Sequence, residues 1–219
     1  MKIISFLSAL AFVAAKSDES FDYYLLAQTF QPLFCSTGNY AGCENPTEFM
    51  KTNLTIHGLW PNYNDGTFPS FCSDEKLSKA TIEAIGQDTI NTYWPDVKTN
   101  YGTNFISNEW DKHGTCSGMN QLDYIGATID LEIELGTPEI ISSNVGKSVV
   151  GSEIRKAYGG DNMVALVCVH GALSEVRTCY KNTESGPGDR MPCPENILKR
   201  DNCGKKTGKK IAIYSFEDL

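Results

Sequence analysis

The chain has 219 residues, 41% of them hydrophobic and 21% charged, which is enough apolar material for a buried core and argues against disorder. Its formal net charge of −8 excludes a general nucleic-acid coat, because such binding is driven by many cations neutralising phosphates. An enzyme that grips one or two nucleotides locally stays compatible with that charge.

Residues 1–15 place Lys2 ahead of an apolar run that ends in Val13, Ala14 and Ala15, with polar Lys16-Ser-Asp-Glu-Ser20 behind it. This reads as a secretion signal; the rival, a membrane anchor, needs ~20 apolar residues. The terminal Phe216-Glu-Asp-Leu219 lacks the lysine that heads a luminal retention tetrapeptide. The expectation is one domain over 16–219, leaving the cytosol for the extracellular space or a lysosomal or vacuolar lumen, with no membrane association once the signal is removed.

Phe21-Asp-Tyr-Tyr-Leu-Leu-Ala-Gln-Thr-Phe30 reads as a buried strand and Asn53-Leu-Thr-Ile-His57 as a second. Loop signals run from Pro61 to Ser73. Leu77, Ala80, Ala84 and Ile85 recur at helical spacing, predicting a helix over Lys76 to Thr89 capped by Ser73 or Asp74. Leu122 to Leu135 and Ser152 to Tyr158 are further helices. Met163 to Val169, Leu173 to Cys179 and Ile211 to Phe216 are later strands. Helices in the middle and strands at both ends predict an α+β fold with a largely antiparallel sheet flanked by several helices.

Eight cysteines, an even number in a secreted chain, read as four disulfides: Cys35, Cys43, Cys72, Cys116, Cys168, Cys179, Cys193 and Cys203. Zinc is the rival, but no Cys-x-x-Cys pair is present and the histidines lie beside glycines rather than at ligand spacing. No metal or other cofactor is expected. The pairing is open among about a hundred possibilities. Asn53-Leu-Thr55 is an N-glycosylation sequon at a position close to a strand.

Two histidine segments carry the chemistry: Thr55-Ile-His-Gly-Leu-Trp-Pro61 and Asn108-Glu-Trp-Asp-Lys-His-Gly-Thr-Cys116. On a helix, Glu109 faces Lys112 at i+3 and His113 at i+4. Imidazole exchanges a proton at mild pH, a lysine balances charge on phosphoryl oxygens, and a glutamate orients or shares protons. Alone, this segment also fits an ordinary surface ion pair, with Trp110 anchoring the helix. The first segment shifts the balance, because it ends a strand in His57 beside Gly58 and supplies Trp60, a surface for stacking on a base. His170 belongs to neither segment and reads as an ordinary histidine.

These segments resemble the two blocks of the T2 family of secreted ribonucleases, Thr-Ile-His-Gly-Leu-Trp-Pro and His-Glu-Trp-x-Lys-His-Gly-Thr-Cys. The first matches completely, and the second everywhere except position 108, where Asn108 stands for histidine. Phe21-Asp-Tyr-Tyr-Leu25, Asn64-Asp-Gly-Thr-Phe-Pro-Ser-Phe-Cys72, Leu173 to Cys179 and Asn202-Cys-Gly204 extend the resemblance over most of the chain. It implies the RNase T2-like fold and cleavage of single-stranded RNA, not DNA, through a 2′,3′-cyclic phosphate. His113 would be the general base, His57 the general acid, and Glu109 with Lys112 the stabilisers of the phosphorane. Trp60 and Phe68 would hold the base 5′ to the cut, Phe105 would touch the base 3′ to it, and either phenylalanine is alternatively core. Asn62 stands where fungal relatives carry an aspartate, which implies weakened adenine preference. The resemblance also implies the pairs Cys35–Cys43, Cys72–Cys116, Cys168–Cys203 and Cys179–Cys193; a monomer is expected, with the oligomeric state left open. Position 108 contacts phosphate or ribose in the family. Losing a charged donor there costs ~2.7–4 kcal/mol, so a weakened enzyme stands against an inactive storage or effector protein.

Overall fold

The computed structural model describes residues 20–204 and 208–218. The expected signal at 1–15 therefore lies outside the described residues. In chain order the elements are β1 (Tyr23–Thr29), α1 (Gln31–Cys35), α2 (Glu48–Thr52), β2 (Thr55–Asn62), α3 (Lys79–Ile85), α4 (Gln87–Tyr93), α5 (Asn104–Lys112) and α6 (Gln121–Leu135). They continue with α7 (Glu139–Ser142), β3 (Lys147–Val150), α8 (Gly151–Ala157), β4 (Ala165–Val169), β5 (Ala172–Thr183), β6 (Gly186–Met191), α9 (Glu195–Leu198) and β7 (Lys210–Ile213).

The strand over Phe21 to Phe30 becomes β1, buried along nearly all its length. It pairs antiparallel with β2 on one side and β5 on the other, and the sheet runs β2-β1-β5-β7-β3, with β4 and β6 also on β5. Only the short β5–β7 contact is parallel, so the α+β, largely antiparallel expectation holds. One face packs Tyr24, Leu26, Ile56 and Leu59 against Trp94, Ile106, Trp110 and Tyr124 of the helices. The other packs Tyr23, Leu25 and Cys179 against Ile197 of α9, with Trp60 at its rim. A third cluster around Leu173, Val176 and Ile211 joins α7 and α8 to the sheet. Trp110, at 1% exposure, contributes ~2–3 kcal/mol through burial alone.

The predicted helix over Lys76 to Thr89 is two helices. Gly86 adopts φ 93° between them, a conformation outside the helical region that glycine reaches without strain. The cap is neither Ser73 nor Asp74: Ser78 accepts the Thr81 N–H at 3.1 Å. β2 runs five residues past His57, and the strand placed over Ile211 to Phe216 ends at Ile213. Helices α1, α2, α7 and α9 and strands β3 and β6 are short and carry no clear period. All four implied disulfides form, Cys35–Cys43, Cys72–Cys116, Cys168–Cys203 and Cys179–Cys193, so zinc thiolates are excluded among these cysteines.

Candidate active site

His57 owes its position to an interrupted ladder. Register passes from Gln28↔Ile56 to Ala27↔Gly58, which leaves His57 as the extra residue of a β-bulge. Bulges commonly re-aim a side chain beside a site. The His57 carbonyl takes a hydrogen bond from the Trp94 indole at 3.1 Å. Its ring lies edge-on to Trp60 at 5.0 Å and tilted against Phe105 at 5.6 Å.

Helix α5 supplies the other half. Ile106, Glu109, Trp110 and His113 are all buried and follow the i, i+3, i+4, i+7 stripe of a core-facing helix. The ionisable groups therefore lie on the apolar face, not on a solvated one. Phe105 N–H donates to Asp96 Oδ2 at 3.1 Å and the Trp110 indole to the Glu75 carbonyl at 2.9 Å, which anchor the helix at both ends. His113 closes the helix as its C-cap, its N–H on the Glu109 carbonyl.

At 4% exposure, with Nδ1 unpartnered among the described residues, the His113 ring is held neutral. Burial, then the charges of Lys112 and His57, push its pKa down to about 3. Burial raises the Glu109 carboxyl, against the pull of His57, the Trp60 indole and Lys112. The hydrogen bond to Glu109 comes from Trp60 Nε1 at 2.8 Å rather than from Lys112, whose Nζ stands 5.6 Å over the Phe68 ring.

Two hollows meet at His57. The smaller, about 170 Å³, is lined by His57, Trp60, Asn62, Phe68, Glu109, Lys112 and His113. The larger, about 380 Å³, holds Phe105 and Asn108 together with His57. Trp60 stacks on His113 at 5.3 Å and Phe68 tilts against it at 5.9 Å, so neither ring is plain core. Asn62, in the wall of the smaller hollow, gives its amide to the Trp60 carbonyl at 2.9 Å. His170 lies apart and exposed, at φ 51° in the β4–β5 turn. The Asn53 amide donates to the Phe49 carbonyl at 3.0 Å and to Thr52 Oγ1.

Among the lining residues that escaped the sequence reading are Glu175 and Asp96 in the larger hollow, and Arg200 in the smaller. Glu175 had a signal. In Ser174-Glu-Val-Arg177 two charges occupy alternate positions of an otherwise apolar strand, which puts both on one face of the sheet. Asp96 and Arg200 come from irregular segments without one.

A model of the ribonuclease T2 family matches residues 21–188. The chain is 34% identical to intracellular ribonuclease LX of Solanum lycopersicum over 215 residues, 93% of this chain and 88% of that protein. It is 32% identical to ribonuclease DdI of Dictyostelium discoideum over 189 residues, 80% and 79% of the two chains. Its fold is similar to the crystal structure of RNase NT in complex with 5′-AMP, with TM-score 0.68, 24% identity, and coverage of 90% of this chain and 100% of that one.

Proposed function

The chain belongs to the ribonuclease T2 family, and from that premise we propose that it is an endoribonuclease cutting single-stranded RNA with low base specificity. The carrying observation is the pair of unlike histidines around one hollow: His113 buried and neutral, His57 partly exposed with one ring nitrogen on a carboxylate. General acid–base catalysis needs this asymmetry, one imidazole able to take a proton and one able to give it.

In this reading His113 takes the 2′-hydroxyl proton and the 2′-oxygen attacks phosphorus. His57 protonates the departing 5′-oxygen, leaving a 2′,3′-cyclic phosphate that water then opens to a 3′-phosphate. Glu109 and Lys112 stabilise charge on the phosphoryl oxygens between them. DNA lacks the 2′-oxygen and is not cut. Trp60, Phe68 and Asn62 take the base 5′ to the cut, and Phe105 with Asn108 the 3′ side. Asn62 offers an uncharged acceptor in place of a carboxylate, which supports a weaker adenine preference, read with dinucleotide substrates. The four disulfides favour an oxidising compartment reached by secretion.

The second reading, an inactive storage or effector protein, rests on Asn108. Asn108 is exposed on α5 in the larger hollow, outside the His113–Glu109–Lys112 cluster, and this favours a retuned enzyme. The test is RNA digestion by the purified protein between about pH 4 and 7, beside His57→Ala, His113→Ala and Asn108→His. Cyclic-phosphate products abolished by either alanine support the proposal. Products from Asn108→His alone would establish the inactive scaffold.

A further inference from the structure

β5 carries a carboxylate to the catalytic imidazole from two strands away. Glu175 pairs with Thr29 and Arg177 with Ala27 of β1, while Ala27 faces Gly58 of β2. With so little side chain at Ala27 and Gly58, a group on β5 reaches across β1 to the bulge residue of β2. Glu175 Oε1 lies 2.8 Å from His57 Nδ1. Its other oxygen, Oε2, accepts from Arg177 Nε at 3.0 Å and Nη2 at 2.7 Å. The Arg177 guanidinium in turn lies 5.7 Å over the Trp60 ring.

The two carboxylate oxygens thus have separate tasks, one on the imidazole and one on the guanidinium that braces it. Glu175 is only 14% exposed, and a carboxylate taken so far out of water needs such partners. Burial alone would raise its carboxyl; the hydrogen bond and charge of His57, with Arg177, outweigh burial and hold it below the usual range. With the His57 ring also set between Trp60 and Phe105, its plane and rotation are determined.

We propose that Glu175 is the positioning residue of the general acid, accepting Nδ1–H of His57 so that Nε2–H is the proton delivered to the departing 5′-oxygen. The proposal rests on His57 being the acid. Glu175 acts through His57 and neither gains nor loses a proton in the step. The charged or titratable groups around His57 are Glu175 with its partner Arg177 from β5, Glu109 and His113 with the neighbouring Lys112 from α5 and its cap, and Asp96 and Lys98 across the larger hollow.

A substrate pair separates positioning from plain structural support. A dinucleoside monophosphate leaves as an alkoxide and needs the acid; uridine 3′-(4-nitrophenyl phosphate) leaves as a stabilised phenolate and does not. Glu175→Ala is expected to lower kcat/KM about 10–100-fold on the dinucleotide and less than about threefold on the nitrophenyl ester. Glu175→Gln keeps an acceptor but no charge. It should lose less, with the alkaline limb of its dinucleotide pH profile moved about one pH unit lower, since the general acid must be protonated and its anionic partner is gone. Thermal unfolding checks that each variant is folded, and the glutamine variant carries the test if the alanine one is not.

Equal losses on both substrates in the Glu175 variants, with the nitrophenyl ester spared in His57→Ala, would make Glu175 a structural partner of Arg177 and overturn the proposal. A wild-type pH profile in Glu175→Gln would overturn it as well. Equal losses in His57→Ala would overturn the reading of His57 as the acid, and the proposal with it.

Discussion

The Trp60 indole donates to Glu109 Oε2 at 2.8 Å, so the strand block and the helix block are joined by a direct hydrogen bond between an aromatic ring and a buried carboxylate. Gly58 lies beneath that bond, and a Cβ there would run into both the Glu109 carboxylate and the Trp60 indole. The glycine is required by close approach, not by its backbone angle. Gly58→Ala should therefore displace two active groups at once and lower kcat/KM by about 100-fold. Trp60→Phe, which removes only the donor and part of the ring, should lose about 10-fold. Steady-state kinetics alongside near-ultraviolet circular dichroism separate this displacement from unfolding.

With His113 as the proposed base, the activity should have a defined acid limb. The base must be neutral, and in the free protein burial, Lys112 and His57 hold it near a pKa of about 3. The acidic limb of kcat/KM, which reports the free enzyme, should fall close to that value. A bound phosphodiester anion favours the charged imidazole, so the limb of kcat should lie at higher pH. Coincident limbs at the ordinary histidine value in both profiles would contradict the buried placement.

A second buried group works in the opposite direction on stability. Glu132 of α6 is 1% exposed, and burial raises its carboxyl to about 8 against the hydrogen bond from Gln28 Nε2 at 2.9 Å. Its folded pKa exceeds its unfolded one, so the stability it supplies is complete below about 4.5 and is lost as pH rises through about 8. His113 has the depressed case: its stability is complete above about 6.5 and is lost as pH falls toward about 3. The stability curve should peak at mildly acidic pH. Glu132→Gln stays neutral at every pH and keeps an amide oxygen to accept from Gln28 Nε2. It should gain on the order of 1–3 kcal/mol at pH 8 in urea titrations and nothing at pH 4.

What could be read in advance divides by range along the chain. The β1 strand, the α5 helix and the α6 helix carry their own periodicity, and the residues of both histidine blocks do converge. The bulge that aims His57 was not legible, because it depends on the register between β1 and β2. Glu175 shows in the sequence only as part of a strand, since its partner His57 lies 118 residues away and the contact needs β1 between them. The alternative of a surface ion pair on α5 fails for a related reason: Glu109 and His113 are charged or titratable residues on a buried stripe, and Trp60 and Phe68, which pack against them, come from elsewhere in the chain.

The loop after β2 is stitched to the end of α5 at three neighbouring points. Phe71 N–H donates to the Lys112 carbonyl at 3.0 Å, Cys72 N–H to Thr115 Oγ1 at 3.2 Å, and Cys72 is bonded to Cys116. These hold Phe68 against His113 and under Lys112. The disulfide closes a loop of 44 residues, worth about 4 kcal/mol by chain entropy. Cys72→Ala with Cys116→Ala should cost stability of that order. It should also raise KM more than it lowers kcat, because Phe68, proposed to bind the base, is on the loosened loop, while His57 is held in β2 and His113 by its C-cap bond to Glu109. Phe68→Ala in the intact protein should reproduce the KM rise without the stability loss. A double cysteine variant that loses kcat with KM unchanged would place the loop in the chemical step instead.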